Sequence, residues 1–406
     1  MTVDGFEALD RVSLARLGRE WMLFGHLYDR ALMPQVALRL GMDEITRVAI
    51  AEWQGASPNY TRRMRRLMGI DGDGASAICK ALQLDVGFPH EYMDVGYRIR
   101  DENHAEFWLK HCGALIDVEP QGEQMVVNMC VHIEDPTFDA TAVATNPRAQ
   151  IRPIHRPPRT PADRVPHCHW TLTIDPQNPP VVQDPLTTQV GELDLTAVSN
   201  QRPPDAEPGG LTDYSGPFDP DFRLEDLSHG ALVAALREFA IQCQLLSAAA
   251  GLFLRECHDP ALVAEVQAAQ WEGACWVAAG RIATLLDVAG DLDGILTVLA
   301  CHPGLPPGID RSVTRVDERH ATVVFAGDLL DPDAPGWLGL LATGEPSAVR
   351  AIAQAVEPRA HVSADRVARG HVAFMIDVDP DRAPVEEPPT VALTRLSTAA
   401  DWTFRT

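Results

Sequence analysis

Three of the eight cysteines in this chain sit in polar company. "HCGALIDVEP" begins at His111, "MCVHIEDPTFD" at Met129 and "VPHCHWTLTID" at Val165. Cys112, Cys130 and Cys168 thus lie close in sequence to His111, His132 and His167, with Glu134 and Asp135 following Cys130. Three thiolates and an imidazole make a tetrahedral set for zinc, and extra histidines suit iron as well. The candidate metal ligands are Cys112, Cys130, Cys168, His111 and His167. A metal held there would bring the pKa of bound water toward ~7, and Glu134, Asp135 and His132 are the candidates to move protons.

Each group also has a plainer reading. No CxxC pair anchors a metal site. A thiol acting alone needs an imidazolium or a helix start to lower its pKa, and His111 adjoins Cys112. Cys168 shares a strand face with Trp170, and buried free cysteine is common. Glu134 and Asp135 precede a helical stretch, where acids complement the macrodipole.

Downstream, "RPIHRPPRTPADR" supplies Arg152, His155 and Arg156 in a Pro-rich run. Arginine offers a planar fork for a substrate carboxylate; the plain alternative is a solvated connector. Trp108 is a candidate wall for an apolar pocket. There is no GxGxxG on a strand–helix unit, no Walker loop, no HExxH and no GxSxG.

The elements that must position these residues occur twice. "AEWQGAS" at Ala51 recurs as "AQWEGAC" at Ala269, so Trp53 maps to Trp271, 218 positions on. "DENHA" at Asp101 recurs as "DERHA" at Asp317, and "ADRVPHCHWTLTID" at Ala162 as "ADRVARGHVAFMID" at Ala364. Matches in one order with drifting offsets indicate a tandem duplication. Copy one covers 10–195 and copy two 226–385. Residues 196–225, rich in Pro, Gly and Asp, form a linker, and 386–406 a tail whose Trp402 and Phe404 could dock on a domain.

In each copy helical periodicity comes first and strand alternation later, as "HCHWTLTI" illustrates with Cys168, Trp170, Leu172 and Ile174 on one face. That order predicts an α+β fold with antiparallel sheets. Aligned by motif, His169 meets His371, whereas Cys168 meets Gly370, and Cys130, His132 and Glu134 meet Leu340, Ala342 and Gly344. The polar cysteines belong to copy one alone. This predicts a site-bearing copy and a degenerate structural one.

The net charge of −23 argues against nucleic acid and anionic membrane as partners. No apolar leader stands near the start, and "LLSAAAGLFL" is too short to span a bilayer. With no disulfide framework, a cytoplasmic protein with reduced thiols is expected.

The order "FWLKHCGALIDVEP", "MCVHIEDP", "NPRAQIRPIHRPP" and "HCHWTLTI" resembles the bacterial L-2-amino-thiazoline-4-carboxylic acid hydrolase family, over roughly residues 30–175. Cys112, Cys130, Asn146-Pro147 and Cys168 carry the resemblance. The chain departs from the family in having Gly113 where proline usually follows the first cysteine, and His169 where aspartate usually follows the last. The resemblance implies a hydrolase opening a C–N bond of a small cyclic amidine or thiazoline. The sequence thus predicts a small-molecule hydrolase acting on a C–N bond of a small, carboxylate-bearing substrate, assisted by zinc or iron through a Cys/His site. The alternatives are a non-haem iron redox enzyme on the same scaffold and a small-molecule binding or regulatory protein with inert thiols. A homo-oligomer is left open.

Overall fold

The computed structural model of the chain describes residues 5–405. Two long helices open the fold. α1 (Arg11–Arg39) is capped by Asp10, whose side chain accepts the Ser13 N–H at 2.8 Å. α2 (Met42–Leu67) follows through Gly41, and α3 (Ala75–Leu82) leads to the first sheet. Its strands are β1 (Met93–Asp101), β2 (His104–Cys112), β3 (Ala149–His155) and β4 (Cys168–Ile174), in spatial order β1-β2-β4-β3 and all antiparallel. Between β2 and β3 run α4 (Gly113–Val118), α5 (Glu123–Val127), a π-helical turn (Asn128–Ile133) and α6 (Glu134–Val143). Two short helices, α7 (Pro185–Gly191) and α8 (Asp194–Ala197), close copy one against α2.

The second half repeats this plan. α9 (His229–Cys257) and α10 (Pro260–Leu285) match α1 and α2 in length, 29 and 26 residues, and both pairs are offset by 218 positions. α11 (Leu292–Ala300), β5 (Asp310–Arg315), β6 (His320–Ala326), α12 (Trp337–Ala342), α13 (Ser347–Val356), β7 (Ala360–Ala368) and β8 (His371–Val378) follow, and the sheet order β5-β6-β8-β7 is that of the first sheet. α14 (Pro389–Thr394) begins the tail. The fold is therefore mixed α+β, with two four-stranded antiparallel sheets each preceded by helices.

The strand ladders refine the motif alignment. Phe107 faces Trp170 and His104 faces Thr173; in the second sheet Val323 faces Phe374 and His320 faces Asp377. Anchored on the shared Asp–His turns, His371 stands where His167 stands, and His169 corresponds to Ala373. The motif alignment is thus shifted by two residues. A shift of two keeps every side chain on its own face, so alternation could not reveal it. The turns themselves repeat: Asp101 accepts from His104 Nδ1 at 2.8 Å, and Asp317 from His320 Nδ1 at 2.7 Å.

The two halves are packed through their helices. α1 lies on α9 and α10, and α2 lies on α9, within one continuous apolar core. α9 contains "LLSAAAGLFL" and, contrary to the sequence reading, is long and apolar enough to cross a membrane; among the described residues it is the only such helix, and it lies inside this core. The 196–225 segment is partly anchored too. Tyr214 and Phe222 are buried and stacked at 4.4 Å, and the Lys80 ammonium donates to the Tyr214 carbonyl at 3.0 Å. The tail docks across both copies: Trp402 stacks on His111 at 5.1 Å, Phe404 lies between Arg19 and Arg281, and α14 packs on α10 and α1.

Candidate functional site

A cavity of roughly 390 Å³ opens between α1, α2, the α4–α6 segment and the tail, entirely on the copy-one side. Apolar side chains such as Met33, Ile45, Phe88, Met125 and Phe138 line most of it. Into this lining project His26, Asp29, Arg30, Cys112, Asp117 and Glu134. Such a pocket, apolar with a few convergent polar groups, is the usual form of a small-molecule site.

Local structure explains how each group arrives. On α1, His26, Asp29 and Arg30 follow the i, i+3, i+4 rule and form one stripe. Cys112 ends β2 and caps α4, its sulfur accepting the Leu115 N–H at 3.4 Å. The turn there requires Gly113, because a Cβ would lie 2.0 Å from the Tyr92 ring. The π-helical turn directly precedes α6 and ends at Ile133, so Glu134 opens the next helix at the cavity wall. Such turns recur at functional sites.

Glu134 is only half-buried as a residue, yet its Oε2 is enclosed and has no hydrogen-bond partner. Burial pushes its carboxyl up to about 8, against the opposing charges of Arg156 and Arg30. It is therefore mostly protonated at neutral pH. Arg30 lies 3.4 Å from Asp29 and 3.9 Å from Asp117; burial opposes its charge, but the two acids outweigh that and hold it ionised. Burial pulls His26 down to about 4, so its imidazole is neutral. The tail completes the wall with Leu393, Leu396 and Ser397. Asp117 accepts from Ser397 Oγ, Thr398 N and Thr398 Oγ, each at 2.7 Å, and from Tyr92 OH at 3.1 Å.

The structure separates the residues singled out in the sequence. Glu134 and Cys112 line the cavity. Cys130 and Cys168 are buried near them, close enough for a charge on Glu134 to push both thiols up. Burial pushes all three thiols up, Cys112 to about 12, so none is a ready thiolate. His167 Nδ1 accepts the Cys112 N–H at 3.2 Å, and burial holds its ring neutral, down to about 4. His111 is stacked on Trp402, so it does not pair with Cys112. Among the described residues no group of three or more His, Cys, Asp or Glu side chains is arranged to hold a metal ion.

The remaining candidates lie outside the cavity lining. His132 is exposed on the π-helical turn. Asp135 is ion-paired with Arg156, and Arg152 with Asp139 at 2.9 Å, so neither arginine is free for a substrate carboxylate. Trp108 and His155 belong to a cluster around His169, at 5.6 and 6.1 Å, where Glu106 accepts from the His169 ring at 3.2 Å.

Sequence reasoning missed His26, Asp29, Arg30 and Glu52. Their signal was present in the repeat. At the offset of 218 they map to Gln244, Ser247, Ala248 and Gln270, so every ionisable member is neutral in copy two. There Trp337 stacks on Trp271 at 4.5 Å and its N–H donates to Ser247 Oγ at 3.0 Å. Gly336 permits that approach, since a Cβ would meet Ser247 at 2.8 Å. Copy one leaves Trp53 facing open space, whereas copy two covers the corresponding Trp271 with a second indole.

Comparison of the chain with protein-family models, curated proteins and solved structures yields no match. The functional reading therefore rests on the site itself.

Proposed function

We propose that copy one is a small-molecule hydrolase that cleaves a C–N bond, with the cavity as active site and Glu134 as proton donor. The observation that carries this reading is a carboxyl group held mostly protonated at neutral pH at the wall of a large apolar cavity. An amine leaves poorly as an anion, so a positioned acid near neutral pKa is what C–N cleavage requires. Water attacks the carbon, the C–O bond forms, and Glu134 delivers its proton to the departing nitrogen as the C–N bond breaks. Arg30, buried and ionised beside Asp29 and Asp117, orients polar atoms of the substrate. The motif resemblance directs the first substrates to try, L-2-amino-thiazoline-4-carboxylic acid and related cyclic amidines.

The predominantly apolar lining favours a second reading, a binding module without turnover. One experiment separates the two. The full chain and Glu134→Gln are incubated with this panel, with product followed by chromatography and binding by calorimetric titration. Hydrolysis by the wild type, lost by at least about 100-fold in Glu134→Gln with binding retained, supports the enzyme. Binding without product supports the module, and equal rates in both proteins remove Glu134 from the mechanism.

A further inference from the structure

The largest unexplained polar feature lies beneath the cavity. Glu52 on α2 is 0% exposed, and neither carboxyl oxygen has a hydrogen-bond partner that an ionised group would demand. Its carboxyl lies against that of Asp29, which lines the cavity. Asp29 is held on its other sides by Arg30 at 3.4 Å and by the Trp53 indole N–H at 3.4 Å. Copy two keeps the indole bond and discards both acids, with Ser247 for Asp29 and Gln270 for Glu52. A pair needed only for packing would not have to be charged in one copy and neutral in the other.

We infer that Asp29 and Glu52 form a carboxyl pair holding one proton between them, and that Asp29 is the carboxylate that takes the proton from the attacking water. Two carboxyls in contact away from solvent do not both ionise. Arg30 and the Trp53 indole stand against Asp29, whereas nothing partners the Glu52 oxygens, so the proton is assigned to Glu52. Burial and the Asp29 charge both push Glu52 up, in agreement with this assignment. The titratable groups around the pair are His26, Tyr28 and Arg30 from α1, Tyr60 from α2 with Asp85 hydrogen-bonded to it at 3.0 Å, and Cys243 from α9; Asp117 lies on the far side of Arg30, at 3.9 Å. Of these Arg30 is the cation in contact with the pair, 3.4 Å from Asp29.

Asp29 is better suited to this role than His26, which also lines the cavity. On accepting a proton Asp29 becomes neutral, which an enclosed site favours. His26 would become a cation beside Arg30, which burial and repulsion oppose. The step balances: water loses a proton to Asp29 and its oxygen bonds to the substrate carbon, the C–N bond breaks, and Glu134 supplies the proton to nitrogen. Transfer from Asp29 through solvent then restores Glu134. Asp29 is a catalytic residue in this scheme and Glu52 a positioning residue. The base assignment rests on the hydrolytic reading of the cavity; the shared proton does not.

Infrared spectroscopy of the full chain at pH 8 tests the pair without any substrate. In Glu134→Gln, which removes the carboxyl raised to about 8, a protonated-carboxyl band is expected to persist at pH 8, where Asp85, raised only to about 6, is ionised, and to vanish in Glu134→Gln/Glu52→Gln. Persistence of the band in that double variant, or its absence from both, overturns the pair. With a hydrolysed thiazoline as probe, Asp29→Asn is expected to lower kcat at least about 100-fold, with binding little changed. Glu52→Leu should lower kcat with KM little changed, as a positioning residue would, and Glu52→Gln, which keeps the shape and a polar head, should restore most of it. An Asp29→Asn rate within threefold of wild type overturns the base assignment, while loss confined to Glu134→Gln would leave the hydrolytic reading standing.

Discussion

Trp53 donates its indole N–H to Asp29 at 3.4 Å, and the same bond recurs 218 residues later from Trp271 to Ser247 at 3.2 Å. The scaffold contact is kept while its acceptor changes from a carboxylate to a hydroxyl. The bond therefore serves the fold, and the charge at Asp29 serves something particular to copy one.

The charge should be intolerable where the second copy has none. Ser247 is fully buried and its neighbour in place of Arg30 is Ala248. Ser247→Asp is expected to cost about 2–4 kcal/mol at pH 7, because no cation faces the new carboxylate and two N–H donors compensate only in part. Urea denaturation measures it. An unchanged midpoint would show that the two helix pairs differ less than their sequences do.

Glu134 gives a pH signature in stability. Its folded pKa, about 8, lies above the ordinary carboxyl value of 4.5. The stability it contributes is fully present below the ordinary value, and is lost as pH rises through the folded one. Glu134→Gln should therefore match the wild type near pH 4 and become the more stable protein as pH climbs to about 8, with a constant difference above. Denaturation of both proteins at pH 4, 6 and 9 checks the sign; a variant less stable at pH 9 contradicts the burial account.

Much of the fold was legible because its signals are local and repeated. Helical periodicity, strand alternation around Trp170 and the Trp53/Trp271 pair gave the α+β class and the duplication. The site was legible only where motif and cavity coincide, at Cys112 and Glu134. His155, Trp108 and Arg152 lie away from the cavity, because strand alternation shows that two faces exist without showing which one meets it. For Arg156 the sequence does not show the ion pair that it makes with Asp135. Asp29 and Glu52 escaped notice because single charges on long helices ordinarily face solvent, and only tertiary packing reveals that these do not. Comparing the copies across their helices, as was done for the cysteines, would have exposed them.

The thiols should be chemically quiet. Cys257 is exposed, whereas Cys112, Cys130 and Cys168 are buried and held protonated. A thiol reagent at pH 7.5 is expected to label Cys257 at once and the buried cysteines only on unfolding. Cys112→Ser should reduce hydrolysis less than tenfold. Rapid native labelling of Cys112, or abolished activity in Cys112→Ser, would return the thiol to the mechanism.

The tail should matter to ligand binding through Asp117. Ser397 and Thr398 supply three of its hydrogen bonds, and Ser397 lines the cavity. Ser397→Ala with Thr398→Val is expected to destabilise the fold by about 2–4 kcal/mol, as hydrogen bonds to a charged group are removed, and to weaken ligand binding at least about fivefold. Calorimetric titration and thermal unfolding of the double variant check both, and unchanged affinity would detach the tail from the site.

The central claim is that a protonated Glu134 drives C–N cleavage, and the pH dependence of kcat/KM for a hydrolysed thiazoline tests it most directly. The account expects a plateau at neutral pH and a fall of tenfold per pH unit above about 8, the value to which burial raises the carboxyl. A rate that stays level or rises through pH 9.5 would contradict it.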